Sequence, residues 1–284
     1  MPLIEVRNLT YNYPDSIKPA LNNVNLTIEK GEFVILTGPS GCGKTTLCRC
    51  FNGLIPHFYS GALIGNVIVA GLSVREWPTF KLAQKVGFVF QNPENQLFAL
   101  SVEKDVAFGL ENLGLPREEI RERVEWALDM TGIVDLREMA PYELSGGQQQ
   151  RVAIASVLAM KPEILVLDEP TSFLDPAAAK TIFEVLGQFN RELSMTVILV
   201  EHRLDLTAPY SSRVVVMDHG QIKLDGTPRE ILSSAEVRAL GVSVPRVMKL
   251  YQTLIAEGVK LAQIPLTVDE AAHLIRGILN VDRD

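Results

Sequence analysis

The stretch Gly38-Pro39-Ser40-Gly41-Cys42-Gly43-Lys44-Thr45 constrains this chain more than any other. It fits G-x-x-x-x-G-K-[ST], whose glycines let the backbone curl until successive N–H groups face one anion. The helix expected next adds its positive end at the same point. Lys44 can then reach the β- and γ-phosphates of a nucleoside triphosphate, and the Thr45 hydroxyl can ligate Mg²⁺. A glycine-rich turn before any helix can carry the same letters, so context decides. Phe33-Val34-Ile35-Leu36 is an apolar run of the buried-strand kind, and Thr45 to Phe51 contains no breaker. Strand, loop and helix follow in the required order.

A length of 284 residues fits one large domain, or one domain with an appendage. With 47% hydrophobic residues the chain can bury a sizeable core, and a net charge of −7 leaves no general basic surface for nucleic acid. No apolar run approaches the length that spans a bilayer, and Met1 to Glu5 lacks the regions of a signal peptide. The expectation is a cytosolic chain that meets a membrane only through a partner. The three cysteines, Cys42, Cys48 and Cys50, lack zinc-site spacing and read as reduced thiols. Cys42 lies beside Lys44 at a helix start, a setting expected to favour the thiolate and speed its reactions.

Ile4 to Leu9 and Val24 to Ile28 alternate apolar and polar residues, as strands with one buried face do. Between them, Tyr11 to Asp15 reads as a turn carrying two aromatics. Tyr13 can stack there on a purine or simply cap the sheet. Asn66 to Ala70 and Val86 to Phe90 read as further strands. Residues 101–160 look like a mainly helical insertion, with Ser101 as an N-cap, Glu103 and Asp105 in the first turn, Pro116 at a second helix start and Gly132 past its end. Ser145-Gly146-Gly147-Gln148 opens a helix to about Met160, either a second anion-binding N-terminus or an N-capped turn.

Ile164 to Asp168 reads as a buried strand ending in the carboxylates of Asp168 and Glu169. An acid at such a tip can complete a Mg²⁺ shell, and its neighbour can deprotonate an attacking water. Both can also be helix caps. Asp175-Pro176 begins another helix, Met195 to Val200 is another strand, and Glu201-His202 stands at its end. His202 can contact a transferred phosphate or be a plain surface or core residue. A hairpin over Val214–Met217 and Gln221–Leu224 and a short helix capped by Thr227 follow. Beyond Gly241, amphipathic helices are expected over Arg246–Ala256 and Val268–Leu279, suited to docking or self-association.

Gly38–Thr45, Gln91, Leu144–Gln148, Ile164–Glu169, Ser172–Asp175 and His202 together resemble the motif series of ATP-binding-cassette (ABC) ATPases over about residues 3–235. The resemblance implies an α/β P-loop fold: a RecA-like mixed sheet with an antiparallel β subdomain, a helical subdomain at about 92–160, a cassette over 1–240 and a helical extension over 241–284 that serves dimerisation. It implies ATP and Mg²⁺ as ligands. Tyr13 would stack on adenine, and Gly38, Pro39, Ser40, Gly41, Cys42, Gly43, Lys44, Thr45 and Thr46 would hold the phosphates. Thr45, Gln91 and Asp168 would bind the ion, Glu169 would be the general base, and His202 would touch the γ-phosphate, with Lys44 and Gln91 also catalytic. Ser145, Gly146, Gly147, Gln148 and Asp175 would complete the site of the opposite subunit, in a homodimer or heterodimer. Glu201 departs from the threonine of many relatives, with little expected effect on chemistry.

Gln91–Phe98, followed by Asp105-Val106-Ala107-Phe108-Gly109 and the helical tail, is similar to energy-coupling-factor (ECF) and cobalt/nickel importer ATPases. This implies a peripheral protein at the cytoplasmic face of the cell membrane, with a transmembrane coupling protein and a substrate-binding membrane protein as partners. An ATPase of another ABC transporter class, or a soluble non-transport cassette, is the alternative. In the segment Gln91–Leu100, the apolar Leu97, Phe98 and Leu100 can invite a partner helix or anchor the loop to its own domain. Glu94, Glu103 and Asp105 nearby would favour a partner helix carrying arginines.

Overall fold

The computed structural model describes residues 2–259 and 261–281. In chain order it runs β1 (Ile4–Asn12), β2 (Leu21–Ile28), β3 (Phe33–Thr37), α1 (Lys44–Phe51), α2 (Leu54–His57), β4 (Ala62–Val69), β5 (Leu72–Ser73), α3 (Thr79–Leu82) and β6 (Val86–Val89). Then come α4 (Val102–Asn112), α5 (Arg117–Met130), α6 (Gly146–Leu158), β7 (Ile164–Asp168), α7 (Pro176–Leu193), β8 (Thr196–Val200) and α8 (Leu204–Thr207). The chain continues with β9 (Arg213–Asp218), β10 (Gln221–Gly226), α9 (Pro228–Ser233), α10 (Ala235–Ala239), α11 (Arg246–Ala256) and α12 (Val268–Val281).

The strands form two sheets. One is four-stranded and antiparallel, in the order β2-β1-β4-β5; the other is six-stranded, β10-β9-β3-β8-β7-β6, parallel except for β10 at its edge. Every residue of β3, β7 and β8 is buried, because layers cover both faces of this sheet. On one face, Leu47 and Phe51 of α1 and Ile4 and Val69 of the antiparallel sheet pack with Val34, Leu36, Val166 and Val200. On the other, Ile154 of α6 and Phe183 and Phe189 of α7 pack with Ile35, Leu165 and Leu199. Burying each of these phenylalanines contributes roughly 1.5–3 kcal/mol.

A third core holds the helical part: Val106, Leu110, Val124 and Leu128 of α4 and α5 close on Val152 and Ala155 of α6. The helix α6 therefore belongs to two cores and is apolar on most of its circumference. Val242, Val244, Met248 and Leu266 lie in the second core, so the segment after Gly241 packs on the parallel sheet's outer layer. Arg229 of α9 pins it further, with Nη2 donating to both carboxylate oxygens of Glu270 at 3.1 Å.

Two local expectations change. Tyr11 and Asn12 belong to β1, where Tyr11 is buried and pairs with Leu21 on one side and Leu63 on the other. Two neighbouring strands supply its hydrogen bonds, which overrides the local turn signal until Pro14. β4 starts at Ala62 rather than Asn66. Gly65 hid that start: it has φ +88 beside an irregularity in the β1–β4 register, and a Cβ there would lie 2.4 Å from the Asn8 carbonyl.

The loops after β3, β6, β7 and β8 all leave the carboxyl edge of the parallel sheet. In open α/β sheets that edge is where ligands bind.

Candidate active site

The loop after β3 is held by close backbone approach. Gly38 has φ +140 and Gly43 φ +108, and a Cβ on them would lie 2.0 Å from the Met217 carbonyl oxygen and 2.4 Å from that of Ala20. Only glycine fits either place. The loop feeds α1 directly, with Lys44 as its first residue. The Lys44 ammonium is buried and donates to the carbonyls of Gly38 and Pro39 at 2.9 Å each. Its remaining contact is the weak acceptor Cys42 Sγ at 3.8 Å.

Thr45 and Asp168 meet across the sheet edge, the Thr45 hydroxyl donating to Asp168 Oδ1 at 3.1 Å. Asp168 is buried, and its pKa is raised by desolvation; the Thr45 hydrogen bond opposes the shift. At Glu169 the chain turns away with φ +49, a left-handed conformation uncommon outside glycine. Its N–H donates to Val200 of β8 at 3.0 Å, which holds the turn in place. The carboxylate then faces three groups. Gln91 Nε2 donates to Oε2 at 3.0 Å, Ser172 Oγ donates to the same oxygen at 3.1 Å, and His202 Nε2 lies 3.1 Å from Oε1. Neither acid caps a helix; Asp175 does that for α7, accepting from the N–H groups of Ala177 and Ala178 at 2.9 and 3.0 Å. Those two bonds also lower the Asp175 pKa.

Three segments distant in sequence, carrying Thr45, Gln91 and His202, thus converge on two carboxylates. Gln91, expected with Thr45 and Asp168 around an ion, has its amide nitrogen on Glu169 and Ser172. Tyr13 is half-buried, edge-on to Tyr11 at 4.8 Å, with its hydroxyl 3.2 Å from Thr46 Oγ1 and accepting from Arg49 at 3.3 Å. It packs on the sheet and touches the phosphate-loop helix at once.

Ser145 and Gln148 form a reciprocal capping box, with Ser145 N–H donating to Gln148 Oε1 at 2.9 Å and Gln148 N–H to Ser145 Oγ at 3.4 Å. Among the described residues their side-chain hydrogen bonds stay within this cap, so within one chain these side chains are not joined to Gly38–Thr45. Gly147 instead abuts α7, where an added Cβ would sit 3.3 Å from that of Ala178.

Cys42 corrects an expectation. It is buried, and desolvation raises its thiol pKa by more than Lys44 lowers it. The loop does not present an activated thiolate.

The family model described as ABC transporter matches residues 21–172, the span from β2 through the phosphate loop, Gln91 and both carboxylates. The chain belongs to the ABC transporter family. It is an ATP-binding cassette, and its chemistry is ATP hydrolysis. A putative ABC transporter ATP-binding protein of Pyrococcus horikoshii is 45% identical over 97% of this chain and 97% of its own length. One of Methanosarcina mazei is 50% identical over 89% of this chain, which spans only 43% of that longer protein. The energy-coupling factor transporter ATP-binding protein EcfA1 of Caldanaerobacter subterraneus is 41% identical over 96% of this chain and 98% of its own.

Among solved structures, CbiO1 of Clostridium perfringens, described as part of the CbiONQ ABC transporter complex, has a TM-score of 0.76 at 38% identity, covering 88% of this chain and 99% of that one. The cassette MJ0796, solved as a dimer in a post-hydrolysis state with ADP and Pi, has a TM-score of 0.69 at 32% identity, covering 80% of this chain and 99% of that one.

Ser172 has no role legible in the cassette's sequence beyond membership of a motif, and Thr171 has none. Short polar residues in a loop carry no signal of their own. Only the folded loop aims the Ser172 hydroxyl at Glu169.

Proposed function

We propose that this cassette is the energy-coupling ATPase of an ECF-type importer, working as a dimer on a transmembrane coupling protein that serves a substrate-binding membrane protein. The observation that carries the catalytic part is the Glu169 carboxylate, fixed by Gln91, Ser172 and His202 beside the Thr45–Asp168 pair. The importer class is supported by the EcfA1 and CbiO1 relatives.

The residues suit ATP and Mg²⁺. Two strong bonds hold Lys44 in the loop, and its weak thiol contact is one a phosphate oxygen would readily displace. Gly41, with φ +76, would place a Cβ in open space, so that side of the loop is free for phosphate. Thr45 and Asp168 would hold Mg²⁺. Among the described residues no three His, Cys, Asp or Glu side chains form a metal-holding group. An ion with one carboxylate and one hydroxyl suits Mg²⁺, which completes its shell with phosphate and water. When bound, it would neutralise charge on the phosphates.

In this reading Glu169 orients the attacking water and accepts its proton. Its neighbours donate to it without neutralising it: an amide from Gln91 and a hydroxyl from Ser172. In this reading His202 holds Glu169 through Nε2 in the nucleotide-free protein, and the same N–H would turn to the transferred phosphate once nucleotide binds. Tyr13 offers a ring for adenine at the edge of the loop helix. Ser145–Gln148 and Asp175 make no hydrogen bond to their own phosphate loop, which suits a role in the partner's site. The dimer described for MJ0796 supports that arrangement.

The membrane contact falls on the loop after β6. Leu97 packs into the cores, whereas Phe98 and Leu100 are 64% and 77% exposed. The Phe98 ring meets Phe108 of α4 edge-on at 4.6 Å, extending the patch. The expected negative rim is smaller than its acids suggested. Asp105 is buried and accepts from the N–H groups of Phe98 and Ala99 at 3.1 and 3.2 Å, and Glu103 pairs with Arg137 at 3.0 Å. Glu94 remains exposed. Among the described residues no helix is long and apolar enough to cross a membrane; in this reading the coupling and substrate-binding proteins are the spanning subunits.

The test is affinity purification of the tagged chain from membranes of its native cell, followed by uptake measurements in a deletion strain. Membrane subunits should co-purify, and uptake of one vitamin or transition metal should fall. Recovery with a DNA-repair or ribosomal assembly, with uptake intact, would refute the reading.

A further inference from the structure

Glu201 ends the β8 side of the site, one residue before His202, and is 3% exposed. Burying a carboxylate is costly unless its oxygens are hydrogen-bonded. Here Thr171 Oγ1 donates to Oε2 at 2.5 Å, and the N–H groups of His202 and Arg203 donate to Oε1 at 2.8 and 3.1 Å. The Glu201 N–H itself donates to Leu36 of β3 at 3.3 Å. One residue therefore ties the end of β3, the loop after β7 and the turn carrying His202. Arg203 adds a second tie, with Nη2 donating to the Leu174 carbonyl at 3.0 Å.

His202 has few other restraints. Its side chain is 43% exposed, and its ring bonds only to Glu169 among the described residues. The geometry of that contact is thus set by the backbone, and Glu201 holds the backbone at residues 202 and 203. A threonine at position 201 offers one short hydroxyl and cannot span all three donors.

We propose that Glu201 is a positioning residue: through its carboxylate it fixes the His202 imidazole against Glu169 and makes the His202 turn move with the Thr171–Asp175 loop. This rests on His202 acting at the transferred phosphate, and it replaces the expectation that Glu201 is indifferent for chemistry. Glu201→Ala strands three donors and frees the turn. Glu201→Gln keeps the fork: its carbonyl can accept from both N–H groups while its amide donates to the Thr171 hydroxyl.

Two measurements test this. The first is histidine-selective NMR of the nucleotide-free protein. The chain has four histidines, so His202 is assigned by its loss in His202→Ala. Glu201→Ala should shift and broaden the His202 resonance alone, and Glu201→Gln should restore it. The second is kinetic. Glu201→Ala should lower kcat by about 10²-fold, the usual cost of misplacing a catalytic group by an ångström, with KM for ATP little changed. Glu201→Gln should recover most of that loss, and in a His202→Ala background Glu201→Ala should cost almost nothing more. If Glu201→Ala does not fold, Thr171→Val, which removes one of the three bonds, should still shift the His202 resonance. An unchanged His202 resonance in the folded variant, a Gln variant as poor as the Ala variant, or full additivity with His202→Ala would overturn the proposal. If His202→Ala alone leaves kcat intact, the role given to His202 fails, and the NMR result alone then decides the positioning.

Discussion

Replacing Glu169 by glutamine isolates the chemistry of one oxygen pair. The wild-type carboxylate accepts from Gln91 and Ser172 on Oε2 and meets His202 on Oε1. Glutamine has the same shape. Its carbonyl can keep the Gln91 and Ser172 donors, and its amide can donate to His202 once the imidazole proton moves to Nδ1. No buried partner is left unpaired, so the fold and ATP affinity should stay close to wild type. Only the ability to take a proton is lost. General-base assistance is worth about 10²–10⁴-fold, which raises the barrier by about 2.7–5.4 kcal/mol. Three measurements on purified protein read this out: phosphate release under saturating Mg-ATP, calorimetric ATP binding, and size-exclusion chromatography with ATP. The variant should bind ATP, lose about that much turnover and accumulate as an ATP-bound dimer. Lys44→Ala should instead weaken ATP binding itself. Near-normal turnover in Glu169→Gln would refute the assignment of Glu169 as base.

Asp168 has its pKa raised in the fold by burial, so its charge costs stability at neutral pH and the cost disappears as pH falls through the carboxylate range. Asp168→Asn should therefore raise the melting temperature of the nucleotide-free protein at pH 7.5 and abolish Mg²⁺-dependent turnover, with the stability gain shrinking toward pH 4; an equal gain at both pH values would contradict the burial account. Cys42 should react with maleimide more slowly than a free thiol until the protein is unfolded, because it is buried and its pKa is raised; fast modification of the native state would show the loop to be open. Phe98→Ala with Glu94→Ala should leave the ATPase rate of the isolated cassette unchanged while blocking assembly with the membrane subunits or coupled uptake. Intact uptake would place the contact elsewhere.

Much of the site was legible because its chemistry is local. Gly38, Gly43, Lys44 and Thr45 work as one contiguous turn, and contiguity is what a sequence records. The strands β3, β7 and β8 were readable as apolar runs because a strand covered on both faces has no polar side. Asp168 and Glu169 were visible as acids at a strand tip, but whether they served an ion or a helix cap was open. The structure gives the cap of α7 to Asp175 and turns Glu169 toward Gln91, Ser172 and His202.

What eluded the sequence depends on neighbours far along the chain. Tyr11 joins β1 because β2 and β4 flank it, and β4 begins early around a glycine that local propensity counts against a strand. Cys42 looked activated from its two nearest neighbours, Lys44 and a helix end. Burial is a property of the whole fold, and here desolvation outweighs both. Glu94, Glu103 and Asp105 looked alike as letters, yet packing buries Asp105, pairs Glu103 with Arg137 and leaves Glu94 exposed. The sequence by itself determined which groups can do chemistry at a phosphate, since that follows from residue type and short spacing. The tertiary structure alone decided which of them meet: a carboxylate's role is set by the donors around it and its access to water, and those come from strands and loops up to more than a hundred residues away, as Thr45 and Asp168 are.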